Sequence, residues 1–167
     1  MIAGSVDLST GPERELGLEP GNAEVGSIKV RPIAVGWATV DLDRAARELF
    51  ATRGWTQELA EPDVLIGAAV RRAVPVTKPI GAPGPVLLLL EPTTEGRLAG
   101  ALARRGEGPA VLYVRPVDGD YRSSLERLAS AGIRTRFGRG PFGDAALVLG
   151  GPTVGPLLVL VAVPSER

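Results

Sequence analysis

The sequence predicts an α+β fold in which two βαβββ modules form curled mixed sheets. Three observations lead there: a strand-then-helix order that runs twice along the chain, a helix-opening segment that is matched between the halves, and an apolar strand matched in the same order. The helical segments are VDLDRAARELFATRG at 40–54 and VDGDYRSSLERLASAG at 117–132, the second longer by one residue. The strands are PVLLLLEP at 85–92 and PLLVLVAV at 156–163. Short apolar strands resemble one another by chance, so the helical match carries more of the argument.

In chain order, residues 1–28 are rich in Gly, Glu, Pro and Ser without an apolar period and read as a flexible tail ahead of one domain over 29–167. Module one spans about 31–92 and module two about 109–164. Pro32–Val40 reads as a strand, and Asp41-Leu42-Asp43 opens a helix whose apolar residues Leu42, Ala45, Ala46, Leu49 and Phe50 recur at three- and four-residue intervals up to Gly54. Two extended stretches follow over 64–76, then a turn at Gly81-Ala82-Pro83-Gly84 and a strongly apolar strand over Pro85–Glu91. A short helix over Glu95–Arg105 leads through Gly106-Glu107-Gly108 to the second module. There Pro109–Pro116 is a strand and Asp120–Ala131 a helix with Tyr121, Leu125 and Leu128 on one face; Ile133–Phe137, Ala145–Leu149 and Pro156–Val163 are strands.

Composition narrows the function. A chain of 167 residues supports one well-buried core, and 44% hydrophobic with 23% charged residues is globular. A formal net charge of zero offers no field to gather nucleic acid or an anionic membrane, so neither is an expected partner. The apolar run at Leu157–Val163 is too short to span a bilayer and the N-terminus lacks the pattern of a secretory signal, which predicts a cytoplasmic protein. There is no Cys and no His. The first absence removes thiolate chemistry and the second removes the commonest metal ligand together with the commonest general base.

The V-D-L-D-x-A helix start, the segment RLAGALARRGEGPAVLYV at 97–114 and the run GRGPFGDAALVLGGPTVGPLLVLV at 138–161 resemble the vicinal oxygen chelate superfamily, which includes glyoxalases, bleomycin-resistance proteins and methylmalonyl-CoA epimerases. The middle segment is similar to the epimerases in particular. The resemblance implies four metal ligands facing the interior of a half-barrel, and carried onto this chain those positions fall on Ala34, Leu88, Val111 (with Ala110 as the one-residue alternative) and Val159. None has a donor atom for a hard cation, and the base of the final strand is lost with Val159. No metal is therefore expected, and epimerisation by the family's usual route is not expected either. No cofactor is specified, and a nicotinamide is left open.

Strand alternation places Ala34, Gly36 and Ala38 on one concave face with Val111, Tyr113 and Arg115, walled by Leu88, Leu90, Leu157 and Val159. That pattern describes an apolar cup for a hydrophobic, carbonyl-containing small molecule; long neighbours filling the space is the alternative. Tyr113 beside Arg115 is the candidate catalytic pair, a phenol whose pKa the guanidinium would lower and which would donate to a developing enolate. One of Arg71 and Arg72 faces inward, with Arg72 assigned to the site, and Arg136 shares a face with Arg134. Trp37 is expected under the first helix, and Trp55 in the core or at its rim. Gly138-Arg139-Gly140-Pro141-Phe142-Gly143 matches G-x-G-x-x-G but precedes a strand, which removes the phosphate-cradling geometry and leaves a loop that would lid the pocket. The leading function is a metal-independent isomerase, cyclase or dehydratase of secondary metabolism, of the kind that tailors polyketides. The alternatives are a non-catalytic protein that sequesters a drug or intermediate and a pseudoenzyme with a filled interior. A homodimer is the expected assembly, with the modules pairing either within one chain or across it.

Overall fold

A computed structural model of the chain describes residues 23–25, 28–75, 85–118, 120–149 and 156–162. The turn expected at Gly81–Gly84 lies outside them. Nine strands and three helices occupy the described residues: β1 (Ala23–Val25), β2 (Ile28–Ala38), α1 (Leu42–Arg53), β3 (Thr56–Leu59), β4 (Ala68–Val74), β5 (Val86–Pro92), α2 (Arg97–Arg105), β6 (Gly108–Pro116), α3 (Tyr121–Ser130), β7 (Thr135–Gly140), β8 (Gly143–Val148) and β9 (Leu157–Val161). They form a single mixed sheet in the order β3-β4-β5-β2-β6-β9-β8-β7, with β1 paired to β2.

The repeat seen in the sequence is a repeat of topology. In each module the first strand runs parallel to the last, β2 with β5 and β6 with β9, and the seam between modules is the antiparallel pair β2–β6. The modules therefore join within one chain. Both matched helices open on an aspartate cap, because a carboxylate oxygen satisfies an otherwise orphaned first-turn N–H. Asp41 accepts from the Arg44 amide at 2.8 Å, and Asp120 accepts from the Ser123 amide at 2.7 Å. The cap is the first aspartate of V-D-L-D in module one and the second of V-D-G-D in module two, which absorbs the extra residue.

Burial sorts the two faces. On the outer face α1 packs Leu42 and Ala46 on Leu89, and α3 packs Leu128 on Val114 and Leu160. The first half of β2 also looks outward, Ile28 and Val30 joining the α3 cluster, whereas Ala34 and Ala38 look inward. An unbroken strand would put all four even-numbered side chains on one side; the register shift between Pro32 and Ala34 reverses the parity.

Two sequence expectations change. The tail does not run to residue 28, since Ala23–Val25 pairs antiparallel with Ile28–Val30. The extended stretches over 64–76 reduce to β4, and its hairpin partner is β3, while residues 60–67 form a loop. β3 escapes a pattern reading because it is short and mostly exposed, with no buried residue to mark a period.

The Gly106-Glu107-Gly108 linker locks the seam. Glu107 accepts from the Thr39 hydroxyl at 2.6 Å and the Val40 amide at 2.8 Å, and it pairs with Arg44. Glu91 of β5 accepts from the Leu42 amide at 2.8 Å, so three acidic residues serve the start of α1. Arg44, Thr39 and Val40 hold the Glu107 carboxyl down at about 2. Its native pKa is depressed, so its contribution is complete above the ordinary value of 4.5 and is lost as the pH falls toward 2. Thermal melts from pH 7 to pH 2.5 are expected to show Glu107→Gln melting a few degrees below the parent at neutral pH, the gap closing in acid.

Candidate functional site

Strand pairing assembles the inner face into cross-sheet rows. One row reads Val86, Ala34, Tyr113, Val159, Leu147, Arg136 from module one to module two. The next reads Arg72, Leu88, Gly36, Val111, Leu157. Ala38 and Leu90 pair in a third. Residues predicted from both halves of the sequence thus meet on one surface. Arg72 lies on it, because its neighbour Arg71 turns to the helix side and pairs with Asp43.

The surface is packed where a cup was expected. Ala34, Leu88, Val111, Tyr113 and Val159 are each at most 1% exposed, in one cluster with Leu65, Ile66 and Leu98. The small residues of β2 leave no room: a Cβ on Gly36 would come within 2.3 Å of a Leu90 methyl and 3.0 Å of the Val111 Cβ. Leu98 of α2 and the loop over 60–67 fill the concavity.

At the centre is a polar pair that the sequence reading did not find. The Tyr113 hydroxyl donates to Asp63 Oδ2 at 2.7 Å, and Asp63 Oδ1 accepts from the amides of Leu65 at 3.0 Å and Ile66 at 3.3 Å. Burial raises the Asp63 pKa, opposed by the Tyr113 hydroxyl, the Ile66 and Leu65 amides and the charge of Arg136. Burial, followed by the charge of Asp63 and the bond to it, pushes the Tyr113 phenol well above its ordinary value. This corrects the expected Tyr113–Arg115 pair: the phenol pKa moves up, and its partner is a carboxylate. Arg115 sits one row further along opposite Arg31, with its Nε buried and without a hydrogen-bond partner.

The loop that carries Asp63 reaches across the sheet. The Val64 amide donates to the Arg139 carbonyl at 3.1 Å, and Arg136 donates to the Leu65 carbonyl. Two glycines of the G-x-G-x-x-G run permit that approach, since a Cβ on Gly138 would lie 2.9 Å from Leu65 and one on Gly140 3.2 Å from Asp63. Phe142, in the turn between β7 and β8, meets the Tyr113 ring edge-on with centroids 5.6 Å apart. The run is therefore a hairpin that covers the interior, as the absence of a following helix implied.

The residues present do not fit a metal. The four ligand positions implied by the resemblance hold only hydrocarbon, and among the described residues no group of three or more His, Cys, Asp or Glu side chains is placed to hold one. No described helix is long and apolar enough to cross a membrane. Trp37 packs partly buried under α1 as expected, and Trp55 stands half-buried at the rim of an outer-face cavity.

No protein-family model and no curated protein matches the chain in sequence. Solved structures match it in fold. A Streptomyces coelicolor methylmalonyl-CoA epimerase variant in complex with 2-nitronate-propionyl-CoA superposes with a TM-score of 0.64 and 23% identity, covering 81% of this chain and 95% of that one. The methylmalonyl-CoA epimerase of Mycobacterium tuberculosis gives 0.64 and 24%, covering 80% and 88%. A hypothetical protein from Bacillus halodurans gives 0.61 and 14%, covering 83% and 99%. The epimerases belong to the vicinal oxygen chelate superfamily, and the shared arrangement of paired modules in a half-barrel is its fold.

Proposed function

We propose that this chain, on the fold it shares with the methylmalonyl-CoA epimerases, is a metal-independent binding protein that holds a hydrophobic small molecule without turning it over. The observation that argues against turnover is the sealed inner face, which also leaves a ligand only the outer side of the sheet. Epimerisation next to a thioester carbonyl needs a base at the α-carbon and a donor or cation at the developing enolate oxygen. Here Ala34, Leu88, Val111 and Val159 supply neither, and the Tyr113 hydroxyl is committed to Asp63. The purified protein incubated with methylmalonyl-CoA in D2O, with and without Mn2+, is expected to let C2–H exchange for deuterium only at the buffer rate and to give no bound-Mn2+ signal in EPR. Enzymatic exchange, or a tightly bound Mn2+, would overturn it.

One observation favours a second reading, a metal-independent isomerase, cyclase or dehydratase acting on a hydrophobic carbonyl compound such as a polyketide intermediate. A buried carboxyl of raised pKa bonded to a phenol is the kind of pair that moves a proton beside a carbonyl. Tyr113, Asp63 and Arg115 are its candidate residues, and the loop over 60–67 would have to lift to admit substrate. Undiminished turnover of a candidate substrate by Tyr113→Phe and Arg115→Ala variants would sink this reading.

A further inference from the structure

The sheet has an open cavity on its other side. Between α1 and strands β5, β2 and β6 lies a space of about 660 Å3, within the roughly 300–1,000 Å3 of small-molecule sites. Leu87 and Leu89 of β5 and Pro109 of β6 contribute its apolar lining. Both tryptophans of the chain, Trp37 from β2 and Trp55 just beyond α1, line it as well and remain only partly buried. Large aromatic side chains are strong apolar anchors when a partner covers them. Glu48, Glu107 and Arg53 also contribute to the lining, and Arg44 pairs with both carboxylates, at 3.1 Å to Glu48. Both lining carboxylates are thus already paired with Arg44, so the cavity makes no demand for a charged ligand.

We propose that this outer-face cavity binds a neutral, planar, mainly aromatic or polycyclic molecule against Trp37 and Trp55. The proposal rests on the binding-protein reading above and moves the ligand from the filled half-barrel to the opposite face of the sheet. Because the two tryptophans are the only ones in the chain, tryptophan emission reports on this cavity alone.

The test titrates the full-length protein with Nile red, a neutral planar dye, following both dye emission and tryptophan quenching. Saturable binding with quenching is expected, weakened about tenfold or more by Trp55→Ala and by Trp37→Ala. Leu98→Met, a volume-conserving change in the interior, is expected to leave dye affinity unchanged, and circular dichroism of each variant checks the fold. Dye affinity untouched by both tryptophan variants but altered by Leu98→Met would place the ligand inside the half-barrel and overturn the outer-face site while leaving a binding protein. No saturable dye binding at all would also overturn it. Failure of the parent reading is separate and shows as deuterium exchange or turnover.

Discussion

Asp63→Ala is expected to cost about 3 kcal/mol or more of unfolding free energy. The substitution strands three buried donors at once, the Tyr113 hydroxyl and the amides of Leu65 and Ile66, and each stranded donor costs roughly 1–3 kcal/mol. It also releases the loop from Tyr113 of β6, so the loss is not confined to one bond. Urea denaturation monitored by circular dichroism measures it, and a midpoint within error of the parent would show that the pair is dispensable. Asp63→Asn keeps an acceptor for the two amides and should lose less. The pH dependence separates them further. The native Asp63 pKa is raised, so the folded state binds its proton before the unfolded chain does, and the residue's contribution declines as the pH climbs from its ordinary 3.8 through the raised native value. The difference in melting temperature between parent and Asp63→Asn should therefore shrink with rising pH, opposite in sign to the Glu107 series.

Leu98→Ala ranks next, at about 2–5 kcal/mol, the range for emptying a fully buried leucine site. Leu98 is the fully buried α2 side chain of the inner cluster, which also holds Leu88, Val111 and Val159, and Leu102 packs partly buried against it. Its truncation tests the filled interior directly. If α2 fills the half-barrel, the variant acquires an apolar void that stays dry and takes up xenon, as hydrocarbon-lined cavities do. A loss below about 1 kcal/mol would mean that the interior was never tightly closed.

The repeated module was legible because both signals that define it are local. The aspartates opening α1 and α3 and the continuous apolar runs of β5 and β9 need no knowledge of distant partners. The inner-face rows followed from alternation along β2, β5, β6 and β9. The filling of the interior was not legible, because Leu65, Ile66 and Leu98 arrive from a loop and a helix whose direction no period encodes. Asp63 was missed for the same reason. It sits just before a run, Val64-Leu65-Ile66-Gly67-Ala68-Ala69-Val70, that was expected to be extended. Gly67, at φ 66°, is where that run breaks, and a glycine inside an apolar run was the available warning. The Tyr113–Arg115 pairing failed because neighbours two apart on a strand share a face but stand in different rows, each meeting whatever crosses above it.

The loop over 60–67 leaves one consequence for how the protein comes apart. It belongs to module one by sequence, yet its amide at Val64 and its carbonyl at Leu65 are bonded to the β7 edge of module two. An open sheet built from two copies of one unit would let either copy melt while the other stood, as stacked repeats do. Here the outermost strand of the second copy is tied to the first across the mouth of the curve, so neither half can leave without breaking contacts in both. Denaturation should accordingly follow one cooperative transition, and the amides of β2, β6 and β9 should exchange with solvent at a common, slowest rate.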